Sequence, residues 1–163
     1  MKQALFGVCA AFLIVSSSAC GSPANVAGSY AVNLTNKDNG CQFANWTVGA
    51  MTSNVPITIT QAGGEVTANV TGVAGTYLTV VLGSASFTGT IDGSSLSLKL
   101  FGTRSATKEN CAYTINASLD AASSGDLIEG KINYESATNG SPDCGALQGC
   151  VTSQAFNGTR PPQ

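Results

Sequence analysis

Ser86-Phe87-Thr88-Gly89-Thr90-Ile91-Asp92-Gly93-Ser94-Ser95-Leu96-Ser97-Leu98-Lys99-Leu100 is the stretch that decides the fold. Phe87, Gly89 and Ile91 take every second place, with Ser86, Thr88 and Thr90 between them. After Asp92-Gly93 the beat resumes as Leu96, Leu98 and Leu100 against Ser97 and Lys99. A period of two puts alternate side chains on opposite faces of a strand, so each run has one oily and one wet face. Asp-Gly between two such runs marks a hairpin, and the expected connection is a type I′ turn with φ > 0 at both central residues.

The same beat runs outward in both directions. Upstream, Tyr30, Val32 and Leu34 alternate with Ser29, Ala31 and Asn33, and Ile57 and Ile59 alternate with Thr58 and Thr60. Past Gly63-Gly64 it continues in Val66, Ala68 and Val70. Downstream, Cys111, Tyr113, Ile115, Ala117 and Leu119 alternate with Thr114, Asn116 and Ser118, Ser124-Gly125 turns the chain, and Ile128, Gly130, Ile132 and Tyr134 follow. A last run, Thr152 to Thr159, carries Phe156, and Tyr77–Leu82 is read as a further strand whose buried face the pattern does not reveal. The expectation is an all-β domain of eight or nine strands, without a core helix.

Short links favour antiparallel neighbours, and an antiparallel meander with one oily face closes most economically into an up-and-down barrel of eight strands, which leaves no exposed edge. A two-sheet sandwich is the alternative.

Composition agrees. Gly (19), Ser (18), Thr (17) and Asn (12) fill much of the 163 residues, a mixture suited to turns and sheet surfaces. Seven basic against nine acidic residues give a net charge of −2, which offers no footprint for nucleic acid. The absence of histidine removes Ser-His-Asp and Cys-His catalysis and every His-ligated metal site.

The first residues read as an address. Met1-Lys2-Gln3 is a short basic start, Ala4 to Val15 is an uncharged run, and Ser16-Ser17-Ser18-Ala19 supplies small residues before Cys20. Such a run is too short to span about 30 Å of hydrocarbon and sits where a secretory signal belongs. The reading divides the chain into a signal peptide at residues 1–19, a tether at 20–25 and one barrel domain at 26–163.

Removing residues 1–19 leaves Cys20, Cys41, Cys111, Cys144 and Cys150, an odd number. The last four allow three disulfide connectivities; the short Gly-flanked loop between Cys144 and Cys150 favours that pair, leaving Cys41 for Cys111. Metal binding by four thiolates is the competing reading. In an exported chain without paired C-x2-C spacing, disulfides are preferred.

Other candidate sites have bland readings beside them. Glu129 and Glu135 alternate with the apolar set and fall on the solvent face with Lys131; Glu65 reads the same way, and Asp126 lies nearby. Without a nucleophile elbow or phosphate loop, the expectation is a protein that is not an enzyme and carries no cofactor or metal. Asn33, Asn45, Asn69, Asn116 and Asn157 each begin an Asn-x-Ser/Thr triplet, a glycan acceptor only in a eukaryotic secretory route. Phe43 and Trp46, the sole tryptophan, fall in the 41–54 loop, where they either rim a ligand-binding mouth or cap one end of the core.

Two resemblances add to this. Ser17-Ser18-Ala19-Cys20-Gly21 resembles a bacterial lipoprotein signal, although Ser17 stands where an aliphatic is usual. The resemblance implies a lipidated Cys20 and, with Gly21 rather than Asp next, sorting to the outer membrane; cleavage after Ala19 without lipid, giving a secreted or periplasmic protein, is the alternative. Gly28-Ser29-Tyr30 with Arg160 resembles the lipocalin arrangement, in which the tryptophan of a first-strand Gly-x-Trp packs under a late arginine; Tyr30 stands here in place of that tryptophan. It implies a lipocalin- or avidin-like barrel over residues 26–160. The functional expectation is a lipid-anchored, non-catalytic binding module that holds a small apolar ligand, with an envelope structural or interaction protein as the rival.

Overall fold

The computed structural model describes residues 22–162. Among them are strands β1 (Gly28–Asn39), β2 (Met51–Ala62), β3 (Glu65–Val70), β4 (Ser86–Asp92), β5 (Ser95–Leu100), β6 (Ala106–Lys108), β7 (Cys111–Ser124), β8 (Leu127–Thr138) and β9 (Val151–Thr159). An α-helix, α1 (Gly72–Leu82), lies between β3 and β4, and a 3-10 turn, Pro142–Leu147, between β8 and β9.

Each strand pairs antiparallel with its neighbours, β9 returns beside β1, and β5 pairs with β7. These pairings close eight strands into a barrel. The short β6 lies outside that closure, pairing with the edge of β7 that β5 uses further along. The barrel is the up-and-down form expected from the meander, and the sandwich alternative is set aside.

The alternation translates directly into burial. β5 alternates exposed and buried without a break, and β2 does so from Val55 to Thr60. Tyr30, Val32, Ile57, Leu98, Leu119 and Phe156 belong to one interior cluster. Small residues shape it: a Cβ added at Gly158 would stand 2.6 Å from the Val32 side chain, and one at Gly130 would stand 2.1 Å from the Asp120 carbonyl. Gly130 is opposite Phe156, whose ring thus faces a position without a side chain.

The two ends of the barrel differ. At one, tight two-residue turns join β2 to β3, β4 to β5 and β7 to β8, centred on Gly63-Gly64, Gly93-Ser94 and Gly125-Asp126. The first central glycine of each has positive φ (60°, 55° and 60°) and the second residue does not. That is the II′ pattern, in which glycine relieves the left-handed position at the first place. The expected type I′ turn is therefore corrected: the Asp92↔Ser95 pair moves the centre one residue on, to Gly93-Ser94. The opposite, loop end carries the 40–50 loop, α1, the segment around β6 and the 3-10 turn.

The strand expected at Tyr77–Leu82 is instead the second half of α1. The signals that make it helical are a four-residue spacing of Ala74, Leu78 and Leu82, which pack on the core, and Gly83 at the C-terminus with φ of 89°. The expectation that no helix touches the core is corrected by the same residues.

The expected disulfide pairing is also corrected. Cys41 joins Cys150 and Cys111 joins Cys144, with Cα separations of 4.9 and 4.8 Å. Barrel closure is the reason. Because β9 returns beside β1, the residues flanking those strands meet, and the Gly40 N–H donates to the Val151 carbonyl at 3.1 Å. Likewise β8 ends beside the start of β7, where Asn139 N–H donates to the Ala112 carbonyl, bringing the 3-10 turn against Cys111. Cys41, Cys111, Cys144 and Cys150 are all in disulfides, as preferred over a thiolate metal site, and both staples lie at the loop end.

Candidate functional site

Three regions bear on function: the barrel interior, the hairpin end and the loop end.

The interior is filled. The cavity among Val32, Ile57, Leu96, Leu98, Leu119, Phe156 and their neighbours has a volume of about 20 Å³, room for little more than one water-sized sphere, with an apolar lining. A barrel that holds a small apolar ligand needs free space inside; here Phe87, Phe156, Leu96, Leu98 and Leu100 belong to the buried cluster that fills the interior.

At the hairpin end, Arg160 follows β9 and folds back over Tyr30 of β1, its guanidinium carbon 5.6 Å from the ring centroid. Its Nε donates to the Asp126 carboxylate at 2.9 Å, its Nη2 to the Asn25 carbonyl at 2.9 Å, and its Nη1 to the Ala27 carbonyl. This is the packing that the lipocalin resemblance implies. The Tyr30 hydroxyl donates to the Val26 carbonyl at 3.1 Å. Burial pushes the Tyr30 phenol above its usual range, with the neighbouring Arg160 charge pulling the other way. Residues 24 and 25, expected in the tether, are docked here. Ala24 N–H donates to the Gly93 carbonyl at 2.7 Å, and Gln61 clamps the segment by donating to the Ala24 carbonyl at 3.1 Å and accepting from Val26 N–H at 2.8 Å.

At the loop end, Trp46 meets Tyr134 edge-on at 6.1 Å and Phe43 at 6.3 Å, and its Nε1 donates to the Lys37 carbonyl at 3.0 Å. Phe43 is held by Asn39, which accepts from Phe43 N–H and donates to its carbonyl. Beneath them, Tyr134 donates to Gln154 at 2.8 Å and Gln154 donates to Asn36 at 2.8 Å, while Thr152 accepts from Cys41 N–H at 3.0 Å. Burial pushes the Tyr134 phenol strongly upward. Phe43 and Trp46 are thus anchored, the Trp46 ring lying between those of Phe43 and Tyr134 at the end that the Cys41–Cys150 disulfide staples. Sequence reasoning missed the polar members, Asn36, Asn39, Thr152 and Gln154, because an inward polar residue looks like a break in the alternation.

The remaining candidates lie elsewhere. Glu65, Glu129 and Glu135 are exposed on the outer face, and Asp126 serves Arg160. Among the Asn-x-Ser/Thr positions, Asn33 and Asn157 face each other across β1 and β9 and are hydrogen-bonded, Asn69 bonds Ser86, and Asn116 accepts from Gly102 N–H at 3.0 Å. Cys20 lies outside the described residues. No group of three or more His, Cys, Asp or Glu placed to hold a metal occurs among the described residues.

Fold and ends together define a closed, disulfide-stapled, eight-stranded lipocalin-like barrel with a packed interior. Compared with protein-family models, curated proteins and solved structures, the chain matches none.

Proposed function

We propose that the chain is an exported, non-catalytic envelope protein, anchored by lipid at Cys20, that works through its outer surface rather than by carrying a ligand in its barrel. The observation that supports surface action most is the interior cavity of about 20 Å³, when small-molecule pockets occupy several hundred. The Phe43 ring, packed on the core, and the Trp46 ring, set against Phe43 and Tyr134, cap the core in this reading rather than rim a mouth. The signal-like residues 1–19, the cysteine parity and the two disulfides support export to an oxidising compartment.

Anchoring fits the hairpin end. The chain enters the barrel there, with Ala24 bonded to Gly93, so a Cys20 anchor four residues earlier is within about 14 Å of that end. The domain then stands with its tight turns towards the bilayer and its stapled loops away from it. Intact mass of the mature protein, before and after reduction, tests this reading. The expected result is a chain beginning at Cys20 carrying acyl mass and gaining the hydrogens of two disulfides on reduction. A chain beginning at Cys20 without acyl mass, or one retaining residues 1–19, overturns the anchor.

A further inference from the structure

α1 is apolar on two sides, and the barrel uses one. Ala74, Leu78 and Leu82 pack on the core. Val73, Tyr77 and Val80, at spacings of four and three residues, share the other side and are 89%, 65% and 68% exposed. A helix that merely covered the barrel's end would need only the first stripe.

We propose that this outer side of α1 is a self-association surface whose occupant is a second copy of the same chain. The proposal rests on the surface-acting reading above. Charge is the first argument. No charged residue occurs from Val66 to Ile91, and α1 has neither an acidic first turn nor a basic last one. Arg104 lies at the C-terminal end of α1, beside Leu82 and Gly83, but Val73, Tyr77 and Val80 bring no like charges together when two copies of this patch meet, which suits an isologous contact. A helix built to lie on an anionic bilayer carries Lys or Arg along its polar side, and α1 has none.

Shape is the second argument. Val70, Thr76, Thr79, Val80 and Ala85 line an open groove of about 360 Å³ along α1, beside the projecting Val73 and Tyr77. A side chain that projects next to a groove is self-complementary under a two-fold axis: Tyr77 of each copy enters the groove of the other. The exposed apolar side chains offer on the order of 400 Å² per copy, so a pair buries about 800 Å², below the roughly 1,200 Å² at which stable specific interfaces begin, and the association is reversible and weak.

The chain's own beginning is a poor rival for this face. Ala24 is fixed at the hairpin end, and a strand as long as the 12-residue β8 separates that end from α1. The two mature residues preceding Ser22 reach about 7 Å.

Sedimentation of the mature protein over a wide concentration range tests the proposal, with Val73→Lys, Tyr77→Lys and, as a control at the hairpin end, Thr60→Lys. Val73 and Tyr77 are exposed, so both α1 variants should fold, and unchanged melting verifies it. The expected result is a monomer–dimer equilibrium in the micromolar range for wild type and Thr60→Lys, weakened at least tenfold in both α1 variants. A wild type that stays monomeric to millimolar protein, or a dimer untouched by both α1 variants, overturns it. So does flotation of wild type, after removal of the acyl chains, with phosphatidylglycerol vesicles that the α1 variants no longer bind. A monomer with an empty barrel removes self-association alone, whereas a co-purifying apolar molecule removes the surface-acting reading itself.

Discussion

Arg160 lies over Tyr30 with its guanidinium carbon 5.6 Å from the ring centroid, tying the residue that follows the last strand to the first strand. One side chain thereby satisfies the carbonyls of Asn25 and Ala27 and pairs with Asp126 while only 7% exposed. Replacing it leaves those acceptors and a carboxylate without their donor. Arg160→Met should cost about 2–4 kcal/mol. Arg160→Lys should recover only part of that, because an ammonium cannot reproduce the guanidinium fork. Denaturant midpoints of the two variants check this; wild-type stability in Arg160→Lys would contradict it.

The alkaline side is where pH should act on stability. Tyr30 and Tyr134 both have phenols raised by burial in the folded state. An unfolded tyrosine ionises near its ordinary value of 10, as the folded one keeps its proton, so the unfolded chain binds fewer protons there. The stabilisation is fully present below that value and is lost as pH rises past it towards the folded values. Urea midpoints should fall above about pH 10, and less so in Tyr134→Phe. A midpoint flat through strongly alkaline pH would count against the burial of both phenols.

The disulfides should be separable. The Cys41–Cys150 bridge spans 109 positions and Cys111–Cys144 spans 33, so chain entropy assigns about 4–5 and about 3–4 kcal/mol respectively. Peptide mapping without reduction should recover those two pairs, and the Cys41→Ser/Cys150→Ser double variant should melt lower than Cys111→Ser/Cys144→Ser. A Cys144–Cys150 peptide would contradict the strand neighbours described above.

Trp46 reports on the loop end as the single tryptophan. Its ring rests on Tyr134 five residues from the Cys41 staple, so the Cys41→Ser/Cys150→Ser variant should shift its emission to the red, and Cys111→Ser/Cys144→Ser should shift it less. Equal spectra in all three proteins would mean that the ring is not held by that staple.

The packed interior should resist change in both directions. Leu98→Ala, at a side chain 1% exposed, should cost about 2–5 kcal/mol, and Gly130→Val, which places methyls against the Asp120 carbonyl, about 1–3. Thermal melts of both variants measure this. A neutral Gly130→Val would mean that the wall has slack at that point.

How far the fold was legible follows from which of its causes are local. The runs around Phe87 to Leu100 and Cys111 to Leu119 read correctly because burial of one strand face is written in alternation. Disulfide pairing is not local: Cys41 meets Cys150 only because β9 closes against β1. α1 was misread because Val73, Tyr77 and Val80 are apolar where a lid helix would be polar, which hides the Ala74–Leu78–Leu82 stripe in a uniform run. The polar network at the loop end was missed for a related reason, since Thr152 and Gln154 face inward and are polar. Tyr30 under Arg160 was legible only as what the lipocalin resemblance of Gly28, Tyr30 and Arg160 implies; the contact itself forms because β9 closes against β1.

Native mass spectrometry of the protein released gently from its own cells tests the central claim, that the barrel holds side chains and not cargo. The account predicts native and denatured masses that differ by no bound small molecule, and no saturable uptake when a fluorescent fatty acid is added. A stoichiometric apolar adduct lost on denaturation, displaced by that probe and abolished by filling the core at Gly158→Leu, would contradict it.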